Sequence, residues 1–298
     1  MKIILHNPHH NGDVLTSMEC ARNIIISNPN QNFVLIPACA SFLYTDILKQ
    51  SNVILKEHPL IWFKEKKFFS NINEYNDIIY FENLLWAYHN GDLYINLWVL
   101  MNLNCINCIE ILDRVDVIKS AFENIYLSTK ILLNFNVSDY KELIPNLPKI
   151  DIIDYENKIN NVFLLNKNKQ KIFFYNLNSM CGFEDCNESF NNDFILKILR
   201  DKNESLIIVP KICGIKNKNL ICLEKDLNIL PSHDALNLVI NAAIANICNE
   251  VYFKGNGGSL FILNRINISN KNVKYYCLNN SCFKKTITES YGLECTWI

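Results

Sequence analysis

The sequence predicts an α/β protein built as two doubly wound halves facing one cleft. Three observations carry this. Short apolar runs of strand length alternate with helical stripes, the pattern of a parallel sheet with crossover helices. Glycine is scarce, eight in 298 residues, and five of the eight fall in three short motifs. Two of those motifs stand between an apolar run and a helix, one near each end of the chain. Glycine is used where backbone turns sharply or approaches a ligand closely, so its concentration marks special backbone.

Residues 2–6 read as the first strand. His10-Asn11-Gly12-Asp13 turns the chain into a helix whose stripe is Leu15, Met18, Ala21, Ile24 and Ile25, closed at Pro29. Phe33 to Ile36 is a short buried strand, Leu43 to Leu48 a short helix, and Val53 to Leu55 a third strand. Ile78 to Phe81 reads as a further strand, followed by His89-Asn90-Gly91-Asp92. Residues 105–134 carry helical spacing through Ile109, Leu112, Val115, Ile118, Phe122 and Ile125. A second series begins near residue 160, with strands at 171–175, 206–209, 220–223, 251–253 and 273–277. Its helices fit 188–201, 234–248 and 258–265. The polar stretch Asp154 to Lys169 divides the chain into halves of residues 1–160 and 161–298. Residues 283–291 read as a helix, and the last fifteen or so residues as packing back on the first half. No repeat of solenoid length occurs.

Bulk properties narrow the function. The chain is 49% hydrophobic and 20% charged, hence globular. A formal net charge of -1 argues against nucleic acid or an anionic membrane as partner. The densest basic run, Lys64, Lys66 and Lys67, reads as a solvated loop face. No stretch reaches the ~18 apolar residues of a membrane span, and Lys2 to Leu5 is too short for a secretion signal. A cytoplasmic, reducing setting is expected, with the twelve cysteines as thiols. Cys105/Cys108 is a lone CxxC without the second pair a zinc ribbon needs, so no metal is expected. Asparagine, about one residue in seven, is a compositional bias from which no function is drawn.

Three glycine motifs carry the candidate chemistry. At the carboxyl end of a first strand, Asp13 either takes a proton from an incoming hydroxyl or serves the helix start as a cap and dipole partner. Lys254-Gly255-Asn256-Gly257-Gly258-Ser259 is a strand–turn–helix unit whose free N–H groups suit a diphosphate, with Lys254 and Arg265 as neutralising cations. A tight turn needing positive φ is the plainer reading. It fails the dinucleotide fingerprint, because position 260 is Leu, and no P-loop exists. His89 to Asp92 reads as an Asn-Gly hairpin turn or as an acceptor-side loop. His6, His9 and His10 cluster near the first turn, where hydrogen bonding to substrate suits them better than metal ligation. Ser232-His233-Asp234 opens a helix, with capping as the default and donor contact by His233 as the alternative. No Asp-x-Asp pair occurs either, and Glu224-Lys225-Asp226, the closest approach, reads as a charged loop.

Lys2-Ile3-Ile4-Leu5, followed by Asn11-Gly12-Asp13-Val14-Leu15, resembles the opening of the heptosyltransferase-like glycosyltransferases (glycosyltransferase family 9). In that family the first strand runs into a Gly-Asp-Val-Leu turn before the first helix. The resemblance implies the GT-B fold, two Rossmann-like domains with the active site between them, and Asp13 as general base. The family's second half carries Asp-(Ser/Thr)-Gly-x-x-His after a strand; here that region reads Lys254 to Ser259, without the acid or the histidine.

The function expected is transfer of a sugar from a nucleotide-sugar donor to a glycan, lipid-linked or other hydroxyl acceptor, as in polysaccharide biosynthesis, inverting and without metal or other cofactor. Asp13 is the expected catalytic residue. His10, Asn11, Gly12, His89 and Asp92 are expected on the acceptor side. Lys254, Gly255, Asn256, Gly257, Gly258 and Ser259 are expected on the donor diphosphate. A homodimer is compatible with this reading. The alternatives are a sugar-nucleotide epimerase or hydrolase of the same fold, and a non-catalytic glycan-binding protein.

Overall fold

The computed structural model describes residues 1–7, 11–37, 40–56, 86–89, 91–97, 147, 152–178, 188–229, 235–278 and 292–298. The chain divides into two compact units, Met1–Pro148 and Lys149–Ile298. Their described strands form two separate sheets. The strand at 78–81, the helix at 105–134, the Cys105/Cys108 pair, the Ser232 to Asp234 cap and the helix at 283–291 lie outside the described residues.

In the first unit β1 (Ile3–Asn7), β2 (Phe33–Pro37) and β3 (Val53–Leu55) are parallel neighbours. Ile3, Ile4, Leu5 and Phe33 to Ile36 are all buried, because a parallel strand is covered on both faces and reads as a continuous apolar run. Helix α1 (Asn11–Ile26) follows β1 and buries Val14, Leu15, Met18, Ala21, Ile24 and Ile25. Arg22, on its buried side, donates through its two terminal nitrogens to Glu19 at 2.5 Å, the Leu43 carbonyl at 2.9 Å and Asp46 at 3.0 Å. Asn28 accepts the role of stop: its Nδ2 donates to the Ile24 carbonyl at 2.7 Å, one residue before Pro29. On the other side of β1 lies a hairpin, β4 (Trp86–His89) and β5 (Asp92–Asn96), with β5 parallel to β1 and β4 antiparallel to β5. The sheet order is β3-β2-β1-β5-β4.

The second unit opens with α2 (Ile153–Leu165). The polar stretch read as a linker is this helix: Asp154 and Glu156 suit its first turn, Asn166 caps its end at 2.9 Å on the Val162 carbonyl, and Ile159 is its buried residue. The division between units therefore falls before it, at 148/149 rather than 160/161. Strands β6 (Lys171–Phe174), β7 (Leu206–Val209), β8 (Leu220–Cys222), β9 (Glu250–Phe253), β10 (Lys274–Cys277) and β11 (Cys295–Trp297) form one parallel sheet. Its order is β11-β10-β9-β6-β7-β8. The chain thus steps outward from β6 through β7 and β8, returns to β9 on the other side, and steps outward again. That is the doubly wound Rossmann order. Helices α3 (Glu188–Asp201), α4 (Leu223–Asp226), α5 (Ala235–Asn246), α6 (Ser259–Ile262) and α7 (Arg265–Ser269) connect the strands. β11 adds an edge strand to this unit's own sheet, where the last residues were expected to return to the first half; it is short, with Cys295 and Trp297 half-buried, and carries no apolar run to betray it.

At the amino end of β9, Glu250 is buried and receives hydrogen bonds from Gln170, Tyr252 and Lys202, which also lies over the stacked Tyr252 and Tyr276 rings. The described cysteines are free thiols, with Cys20, Cys222, Cys248 and Cys277 buried; burial pushes the Cys295 thiol up to about 12 and that of Cys248 higher still. Among the described residues no helix is long and apolar enough to cross a membrane.

Candidate functional site

In an open α/β sheet a ligand crevice forms at the carboxyl ends of the strands where the winding reverses, since the crossovers there diverge to opposite faces. In the second unit that point lies between β6 and β9. The residues leaving β6 are Tyr175 to Asn178, and those leaving β9 are Lys254 to Gly258. The glycine loop singled out in the sequence therefore sits at the switch point.

The loop is held by reciprocal bonds. Ser259 N–H donates to Asn256 Oδ1 at 2.9 Å, and Asn256 N–H donates to Ser259 Oγ at 3.1 Å. The exchange has the reciprocal i/i+3 form of a capping box, set in the turn just ahead of α6. Ser259 Oγ also donates to the Asn256 carbonyl at 2.8 Å, and Asn256 Nδ2 reaches the Leu177 carbonyl at 3.2 Å, tying the β9 loop to the β6 loop. Two of the N–H groups that the sequence offered to phosphate are thus already paired. Among the described glycines positive φ occurs at Gly91 and Gly292, not in this loop. Gly258 is helical, at φ -72, and its requirement is space: a β-carbon there would lie 2.0 Å from the Tyr175 hydroxyl. Gly258→Ala is expected to cost about 1–3 kcal/mol, as overpacked cores do. Chemical denaturation of Gly258→Ala, alone and with Tyr175→Phe, checks the cause; the second change should recover part of the loss.

Lys254 is fully buried. Its ammonium donates to Asn191 Oδ1 at 3.0 Å and to Asn178 Oδ1. Asn191, from the first turn of α3, donates through Nδ2 to the Asn176 carbonyl at 3.0 Å and to Asn178 Oδ1 at 3.2 Å. Asn176 in turn pairs both ends of its amide with the Lys211 main chain beyond β7, at 3.0 and 2.9 Å. A web of amides around one lysine thus joins the exits of β6, β7 and β9. No part of Lys254 reaches solvent. Arg265 is exposed at the start of α7. Asn176, Asn178 and Asn191 were not singled out in the sequence; for Asn176 and Asn178 the signal available was their position just after the first strand of the second series, and for Asn191 its place in the first turn of the helix that follows.

In the first unit the switch point lies between β1 and β5. Asn11, Gly12 and Asp13 form the first turn of α1, directly beyond the carboxyl end of β1. The helix starts at Asn11, so Asp13 stands inside the first turn and is not its cap. Positions 8–10, with His9 and His10, lie outside the described residues. The second motif is elsewhere. His89 pairs with Asp92 across a hairpin turn whose Gly91 has φ +81, the left-handed region that favours glycine. Asp92 Oδ1 accepts from the Lys2 N–H at 2.7 Å, at the amino end of β1. Asp92 and Asp13 therefore stand at opposite ends of the same sheet. The structure does not bring His89 and Asp92 to the Asp13 corner, because they flank the chain reversal at Gly91 at the other end of the sheet. Among the described residues no three His, Cys, Asp or Glu side chains gather as a metal site.

No family profile matches the sequence, and no curated protein matches it. Solved structures do align with it. The E. coli ADP-heptose lps heptosyltransferase II aligns over 100% of this chain and 90% of its own at 12% identity, TM-score 0.47. The E. coli heptosyltransferase WaaC with ADP aligns over 93% and 87% at 12% identity, TM-score 0.43. The glycosyl transferase family 9 structure from Veillonella parvula aligns over 100% of this chain and 85% of its own at 11% identity, TM-score 0.52. This chain shares the fold of that last protein, the GT-B type with two Rossmann-like domains.

Proposed function

We propose that the protein is a glycosyltransferase that moves a sugar from a nucleotide-sugar donor to a hydroxyl of a glycan or lipid-linked acceptor. The observation that carries this is the second unit's switch point, where a glycine loop and a buried lysine meet at the exits of β9 and β6 in a fold shared with a family 9 glycosyl transferase. The loop backbone around Gly255 and Gly257 takes the donor's diphosphate, and Lys254 lends positive potential from behind it. Asp13 is the general base: it removes the acceptor's proton as the hydroxyl oxygen bonds to the anomeric carbon, while the bond to the diphosphate breaks and the nucleoside diphosphate leaves. A single displacement inverts that carbon. The mechanism needs no metal, in keeping with the lack of an Asp-x-Asp motif.

The test is a thermal-shift panel of UDP, GDP, ADP and CMP with their sugars. A ligand at about 100 times its dissociation constant adds about 2.7 kcal/mol of stability. The reading expects one nucleoside diphosphate and its sugar to stand out, and Gly257→Val to abolish that shift while remaining folded. A branched side chain there fills the space that phosphate needs beside the backbone. A flat panel overturns the proposal. An unchanged shift with Gly257→Val moves the donor away from this loop. Release of free sugar or an epimer without transfer favours the hydrolase or epimerase instead.

A further inference from the structure

We infer that Asn7 and Ser17 are positioning residues that fix the Asn11–Asp13 corner, an inference that rests on reading Asp13 as the base. β1 ends at Asn7 and α1 begins at Asn11, so the corner between them is short. Asn7 and Ser17 are both buried, at 1% and 0% exposure. Asn7 Nδ2 donates to Ser17 Oγ at 2.8 Å, and Ser17 Oγ donates to the Val14 carbonyl at 3.2 Å. The last residue of the strand is thereby bonded to the second turn of the helix, and that turn is bonded back to the residue following Asp13. Asn11 to Asp13 are the helical residues that precede this bonded turn.

A purely structural role would be filled as well by an apolar pair of similar shape, since buried polar partners removed together can be nearly neutral. What an apolar pair lacks is direction. The Asn7–Ser17 bond fixes the rotation of α1 against β1, and the Ser17–Val14 bond holds the hydroxyl that receives it against the first turn. Displacing a reacting group by about 1 Å can cost on the order of 10²-fold in rate. The pair therefore supplies orientation to the corner, and the rate of transfer reports it.

Three variants separate the roles: Ser17→Ala, Ser17→Thr, and the double change Asn7→Leu with Ser17→Ala. The first readout needs no substrate. Hydrogen exchange at the amides of Leu15, Thr16 and Ser17, which bond within the first turn, should quicken at least tenfold in Ser17→Ala and in the double variant. Exchange over residues 18–25 should stay within twofold of the parent, and Ser17→Thr, which keeps the hydroxyl, should restore the parent rates. The second readout is nucleoside diphosphate release from whichever of UDP-glucose, GDP-mannose or ADP-glucose shifts the parent most. There kcat should fall at least tenfold in Ser17→Ala and in the double variant, with KM for the donor within twofold, and recover in Ser17→Thr. Unchanged exchange at 15–17, a uniform rise along α1, or full recovery of kcat in the double variant overturns the inference. Failure of the Asp13 reading shows separately, as normal turnover in Asp13→Asn, and leaves the exchange result standing.

Discussion

Asp13→Asn is expected to lower sugar transfer by roughly 10²- to 10⁴-fold, the usual range for loss of a general base. Asn matches the carboxylate in size but cannot take the acceptor's proton. Its effect on folding should be small. Asp13 lies in the first turn of α1, where a negative charge is worth about 0.3–1 kcal/mol through the helix dipole. Donor affinity should hold within about twofold, because the diphosphate is assigned to the loop after β9 in the other unit. Steady-state kinetics with calorimetry of the donor separate these effects. Turnover within about threefold of the parent, in a folded protein, removes Asp13 as the base and leaves its carboxylate as a partner of the helix dipole.

The parallel strands were legible because burial on both faces forces continuous apolar runs. Ile3 to Leu5, Phe33 to Ile36 and Leu206 to Val209 need no periodicity to be found, and each is a strand. The long amphipathic helices were legible for the complementary reason, α3 to its end residues. Elements with little buried surface were not. Helix α2 buries Ile159 alone and was taken for a linker; β11 is three residues of partial exposure. The hairpin was read through its glycine motif, and the strands on either side of the turn went unnoticed.

The candidate site divided along similar lines. Its glycines stood out because glycine is rare in this chain. Its asparagines did not, because asparagine is everywhere: Asn176, Asn178 and Asn191 are ordinary residues until the strand order places them at one switch point. The glycines also turned out to serve different ends. Gly91 supplies positive φ to a hairpin, and Gly258 clears space for Tyr175. A count of residue types finds the motifs; the backbone angle at Gly91 and the Cβ neighbour at Gly258 tell those two apart.

Lys254→Met is the change that tests the electrostatics of the donor loop. Met keeps the apolar stem of a fully buried side chain and removes the ammonium that Asn178 and Asn191 receive. A unit charge about 6 Å from a phosphate oxygen, at an effective dielectric near 20, contributes about 3 kcal/mol per unit of ligand charge. Reorientation of the two freed amides toward the ligand offsets part of that, so the affinity for a nucleoside diphosphate should fall by about 10- to 100-fold, or about 1.4–2.8 kcal/mol. The matching nucleoside carries no phosphate and should bind the variant and the parent alike. The loss should also shrink as ionic strength rises less than it would for a surface lysine, because a buried charge is poorly screened. Calorimetry with the diphosphate and the nucleoside, at low and high salt, reads all of this directly. Equal losses for both ligands would assign Lys254 to holding the loop in shape, and an unchanged diphosphate affinity would take the donor away from the β9 exit altogether.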